Sequence, residues 1–112
     1  MQLPTRWSGD LQLRTVTSEF VLLEVANGLA GTPVRRHFEV LLHDVRTNPR
    51  VRLVRASQGL FNDAAETYQQ RPDKQWSLVD CSSFILMQRF KLKHALTSDH
   101  HYEQAGFTVL LR

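Results

Sequence analysis

Apolar and polar positions alternate along LQLRTVT (residues 11–17), the period-two pattern of a half-covered strand. The pattern then changes to a long apolar stretch, SEFVLLEVANGLA, with Thr17 or Ser18 available as a cap, so a helix is expected over about 18–30. Pro33 suits a helix start. Behind it Val34, Phe38, Leu41, Leu42 and Val45 recur at helical spacing until the Asn48-Pro49 break. VRLVRA (51–56) reads as a strand. SQGLFNDAAETYQQR (57–71) reads as a helix with Leu60, Phe61, Ala64, Ala65 and Tyr68 on one stripe. Ser77 caps a further helix over about 78–90. KHALT (93–97) is a short strand, SDHHYEQAG a turn with a short helix, and FTVLL (107–111) a last strand. Strands alternating with helices predict an α/β fold with a mainly parallel sheet, whose ligands sit at the carboxyl ends of the strands.

Three acids interrupt this pattern. Glu24 is the only charged residue between Glu19 and Arg35, on a helix apolar nearly all round. Such a helix is expected to be buried, which would put Glu24 in protected surroundings, where an unpartnered carboxylate is costly. Its alternative is a plain solvent-facing glutamate. Asp80 is the only charge between Lys74 and Arg89 and shares a stripe with Phe84 and Met87. It also completes a Ser77-x-x-Asp80 capping box, so cap and ligand both stand as readings. Asp99 follows the strand at 93–97 and taken alone is best explained as a cap. Together, however, the three are placed for one rim of a parallel sheet. Two carboxylates about 4 Å apart repel by roughly 4 kcal/mol at an effective dielectric near 20. Such a cluster calls for protons or a cation, and all-oxygen donors suit Mg²⁺ or Mn²⁺.

Composition adds limits. With 112 residues, 42% hydrophobic and 22% charged, the chain suits one ordinary domain, and it has no apolar run long enough for a membrane span. MQLPTRWSGD lacks the apolar core of a secretion signal. Cys81 is the only cysteine, which excludes an internal disulfide and fits a cytoplasmic location. The net charge of +3 falls in the first half: residues 1–56 hold eight Lys/Arg against five Asp/Glu, and residues 57–112 hold six against six. Arg46, Arg50, Arg52 and Arg55 form a basic stretch that would attract a polyanion or simply lie solvated.

The segment RPDKQWSLVDCSSFILMQRFKLKHALTSDHHYEQAGFTVLL (71–111) resembles the PIN-domain ribonucleases, in particular toxins of the VapC type. Their usual form runs D-K-x-W-S-L-T-D-C, a helix, then A-L-T-x-D-x-H-F-x-Q-A-G-F. Val79 and Tyr102 are mild departures from it. Upstream, TSEFVLLEVANGL (17–29) is similar to their T-S-x-V-L-x-E-V-A-N segment. The resemblance implies a PIN-like three-layer α/β/α domain over residues 1–112 and a Mg²⁺- or Mn²⁺-dependent endoribonuclease. Glu24, Asp80 and Asp99 then fall on its metal-site acids. Read from the residues alone, Ser77 and Thr97 are candidates to support that metal shell, with capping as the first alternative for both. The resemblance also implies an RNA substrate, a neutralising antitoxin protein and a possible homodimer. Arg50, Arg52 and Arg55 are the candidates for holding the RNA backbone.

The chain departs from the family at its start. The family's opening strand, central in the sheet and ending in an acid, has no counterpart from Met1 onward, and Asp10 in WSGDLQL does not replace it. The expectation is a partial PIN domain with two unpaired strand edges inside its sheet. Its alternative function is a catalytically impaired remnant acting as a protein-interaction module. His100 and His101 match no strong zinc spacing. Cys81 is expected to be a buried inert thiol, and Trp7, Trp76, Tyr68 and Tyr102 to pack rather than stack bases.

Overall fold

The computed structural model describes residues 2–3, 15–95, 97 and 99–109. Trp7, Asp10 and residues 11–14 and 110–111 of the expected strands lie outside them. The elements run β1 (Gln2–Leu3), β2 (Thr15–Ser18), α1 (Glu19–Leu29), α2 (His37–Thr47), β3 (Val51–Val54), α3 (Gln58–Gln70), α4 (Leu78–Arg89), β4 (His94–Ala95), α5 (His100–Gln104) and β5 (Thr108–Val109).

The sheet has the order β3-β2-β1-β4-β5. β2 pairs in parallel with β3, and β4 with β5, while β1 runs antiparallel to both β2 and β4. The four longer-range strands therefore share one direction, as the alternating pattern predicts. Among the described residues, β1 lies where two unpaired inner edges are expected. Gln2 lies opposite Val16 on one side and Ala95 on the other, and Leu3 lies opposite His94. Two residues suffice for this because an antiparallel neighbour needs no crossover, and the alternative is unpaired backbone in the sheet centre.

Local sequence accounts for most boundaries. The side chains of Ser18, Ser57 and Ser77 accept from the backbone N–H groups of Val21, Leu60 and Asp80, capping α1, α3 and α4. α2 begins at His37 rather than at Pro33. Residues 33–36 form turns closed by three-residue backbone bonds, such as His37 N–H to Val34 C=O at 2.9 Å.

Helices α4 and α5 end alike. The N–H of Leu92 donates to Met87 C=O and that of Lys91 to Gln88 C=O; Phe107 and Gly106 repeat the arrangement onto Tyr102 and Glu103. The residue that turns left-handed is Gly106 (φ 96°) in one case and Lys91 (φ 54°) in the other. Only glycine takes that conformation without a steric penalty. Lys91→Gly is therefore expected to stabilise the fold by about 0.5–1 kcal/mol, read as a higher denaturation midpoint at unchanged slope.

α4 is the central helix. Cys81, Ser82, Ser83, Phe84, Leu86 and Met87 are all buried. Met87 packs with Val16, Leu92 and Ala95 against the sheet, and Phe84 and Cys81 pack with Ala64 and Trp76 towards α3. Arg89 pairs with Asp63 across α3 and α4. α1 is less covered than its composition predicts: only Leu22 is fully buried, and Leu23 is 62% exposed.

Candidate active site

Asp80 stands in the first turn of α4, and both readings of it hold. It forms the capping box, accepting from Ser77 N–H at 3.1 Å while Ser77 Oγ accepts from Asp80 N–H at 2.9 Å. Its carboxylate nonetheless faces inward, 14% exposed, with Oδ2 3.3 Å from His101 Nδ1. The cap orients the acid; it does not consume it.

Asp99 caps α5 by accepting from His101 N–H at 2.9 Å. Its own N–H donates to Thr97 Oγ1 at 3.1 Å, so Thr97 holds the loop that carries the acid. Asp99 Oδ1 also lies 3.3 Å from His101 Nδ1, which places that nitrogen between Asp80 and Asp99.

Glu24 is exposed, not enclosed as the apolar character of α1 suggests, because α1 is covered on one side only. It still belongs to the same field. Partial loss of hydration, then the charges of Asp80 and Asp99, push its carboxyl above the ordinary glutamate value. Folding thus binds the Glu24 proton more tightly than the unfolded chain does, and stability is lost as pH rises from the ordinary glutamate range through the raised value. Without added metal, Glu24→Gln is expected to raise stability at pH 7 by at most roughly 0.5 kcal/mol, since water screens an exposed group. Thermal melts of both proteins should converge once Glu24 is protonated, below about pH 4. A variant less stable at pH 7 would show that Glu24 is not repelled there.

Tyr102 lies beside the cluster. Burial, with the charges of Asp80, Asp99 and Glu24, outweighs the opposing effect of Ser83 and pushes its hydroxyl up to about 12. Tyr102 therefore stays protonated at neutral pH. The Cys81 thiol is raised by burial and then by Asp80, so it is a poor nucleophile.

The basic stretch spreads along β3. Arg50 precedes β3, at the opposite end from the acids, and the Arg52 guanidinium lies 5.2 Å over the Phe90 ring. Arg55 follows β3 at the carboxyl rim, where the next residue, Ala56, donates its N–H to Glu19 Oε1 at 2.7 Å. Trp76 is buried and donates to Gln104 Oε1, packing as expected, whereas Tyr68 is 53% exposed. An apolar cavity of about 230 Å³ opens beside the acids, lined by Phe20, Leu23, Phe61, Ala64, Leu78 and Val79.

Sequence reasoning sets His101 aside for want of a zinc-like spacing and passes over Ser83. His101 reads as ordinary next to the aspartate, and only the i+2 spacing from Asp99 hints at a shared position. Ser83 is fully buried one turn after Asp80 on the same stripe.

A mainly parallel sheet with helices around it, bearing acids at its carboxyl rim, gives this chain a PIN-type α/β fold. The chain matches no family model and no curated protein sequence. It is similar in structure to VapC20 of Mycobacterium tuberculosis, a toxin described as cleaving the sarcin–ricin loop. The TM-score is 0.74 at 26% identity, over 85% of this chain and 72% of that one.

Proposed function

We propose that the protein is a metal-dependent endoribonuclease of the VapC type, the toxin of a toxin–antitoxin pair acting in the cytoplasm. The observation that carries this reading is the convergence of Asp80 and Asp99 on His101 Nδ1, with Glu24 within their field. Such a group of carboxylates is destabilised unless a cation joins it. The acids fit a hard divalent ion such as Mg²⁺ or Mn²⁺, and the shielded His101 Nδ1 faces the same place without an aligned hydrogen bond. When bound there, the ion would activate water and neutralise charge on the phosphodiester.

The chain's own groups divide the remaining work. Ser77 and Thr97 orient Asp80 and Asp99 through their hydrogen bonds. Glu24, on the open side, leaves room for the substrate. Tyr102 keeps its proton and serves as a donor, not as a base. Arg55 is the arginine best placed to hold an RNA phosphate near the acids, with Arg52 and Arg50 further along the strand. Water adds to phosphorus and one P–O bond breaks, leaving a phosphate monoester and a hydroxyl. The test is cleavage of structured RNA with Mg²⁺ or Mn²⁺, abolished by EDTA. RNA left intact under all these conditions would overturn the reading.

A second reading, an interaction module with impaired catalysis, is favoured by the apolar cavity and its exposed rim, Leu23 (62%) and Phe61 (45%). An antitoxin segment or a second copy of the chain would cover that rim. Partner binding by a folded protein that never cleaves RNA would support this second reading.

A further inference from the structure

His101 presents one ring nitrogen to the carboxylates of the site without forming an aligned hydrogen bond to either. Nδ1 is shielded from solvent and has no aligned hydrogen-bond partner. Asp80 Oδ2 and Asp99 Oδ1 each stand 3.3 Å from it. A charge-assisted N–H···O bond closes to about 2.7–2.9 Å, so neither carboxylate is drawn in as a bonded partner would be. Donors that share one first-row ion at about 2.0–2.2 Å stand about 2.9–3.5 Å from one another. Both spacings fall in that range.

The ring is held in place from its own backbone. His101 N–H donates to Asp99 Oδ1, and the next residue, Tyr102, packs edge-on against Phe84 at 4.9 Å. His100 differs: its side chain is 72% exposed and its Nδ1 lies 3.8 Å from Asp99 Oδ1. Asp99, His100 and His101 can all offer donor atoms within 4.8 Å of one another, but only His101 also reaches Asp80.

We propose that His101 is a nitrogen ligand of the bound ion, making a mixed nitrogen–oxygen site that prefers Mn²⁺, Co²⁺ or Zn²⁺ to Mg²⁺. This rests on the metal-dependent nuclease reading and refines which ion that site selects. Mg²⁺ favours oxygen donors and retains its waters, whereas imidazole suits the later first-row ions.

The test is calorimetric titration of the whole chain with Mn²⁺, Co²⁺ and Mg²⁺, compared with His101→Gln and His100→Ala, each checked for folding by circular dichroism. His101→Gln is expected to weaken Mn²⁺ and Co²⁺ binding at least about tenfold and Mg²⁺ less than about threefold. His100→Ala should change none of them. A second readout needs no variant to fold: in wild-type protein with ¹⁵N-labelled histidine, diamagnetic Zn²⁺ should shift the His101 Nδ1 resonance. Zn²⁺ binding with that resonance unmoved, equal losses for Mn²⁺ and Mg²⁺, or a loss confined to His100→Ala would overturn the proposal while leaving the acids as the site. No binding of any ion would overturn the metal-dependent reading itself, and this proposal with it.

Discussion

Asp80→Asn is expected to lower RNA cleavage by about 10²- to 10⁴-fold, the range for removing a group that acts directly in the chemistry. The substitution suits the question because asparagine preserves shape. Its side-chain oxygen can still accept from Ser77 N–H, as Asp80 Oδ2 does at 3.1 Å, so α4 keeps its cap. What disappears is one negative charge facing His101 and Asp99. Ser77→Ala makes the complementary change: it removes the hydroxyl that accepts from Asp80 N–H and leaves the charge. It is expected to cost about 1 kcal/mol of stability, with cleavage falling at most about tenfold. Comparing the two by single-turnover cleavage and by chemical denaturation separates the two jobs of Asp80. Equal cleavage by wild type and Asp80→Asn would reduce Asp80 to a helix cap.

The second large effect concerns stability. Phe84 is 3% exposed and touches three rings: Trp76 edge-on at 5.0 Å, Tyr102 edge-on at 4.9 Å, and Phe107 at 5.8 Å. Phe84→Ala is expected to cost about 3–5 kcal/mol, through lost burial and the cavity left behind. That is a large share of the roughly 5–15 kcal/mol that holds a domain of this kind together, and it corresponds to a fall in Tm of roughly 12–25 °C. The damage should also reach the site. Tyr102 belongs to α5, which Asp99 caps, and Phe107 follows it into β5, so loosening their anchor frees Asp99 and His101 from Asp80. Cleavage is therefore expected to fall even at temperatures where the variant is folded. A cost below about 1 kcal/mol would mean that the ring cluster is not a core.

Much of the architecture was legible because its signals are local. Ser18 and Ser77 before apolar runs marked the starts of α1 and α4, since a hydroxyl there satisfies a backbone N–H that the helix leaves open. Alternation of strands and helices gave the parallel direction of β2 to β5. α2 starts about one turn after Pro33, because proline permits a helix start without requiring one.

The amino-acid sequence by itself determined the elements after β1, their order, and the identity of three acids that no apolar stripe needs. Each of these depends on a residue and its neighbours within a turn or two. Tertiary structure alone decided the rest. It inserted Gln2–Leu3 between β2 and β4, left Glu24 open to solvent, and separated Arg55 from Arg50 along β3. It also set His101 Nδ1 between carboxylates from two different segments. The physical reason is that burial, charge repulsion and ligand geometry depend on distances between atoms far apart in the chain, and those distances exist only once the helices have packed on the sheet.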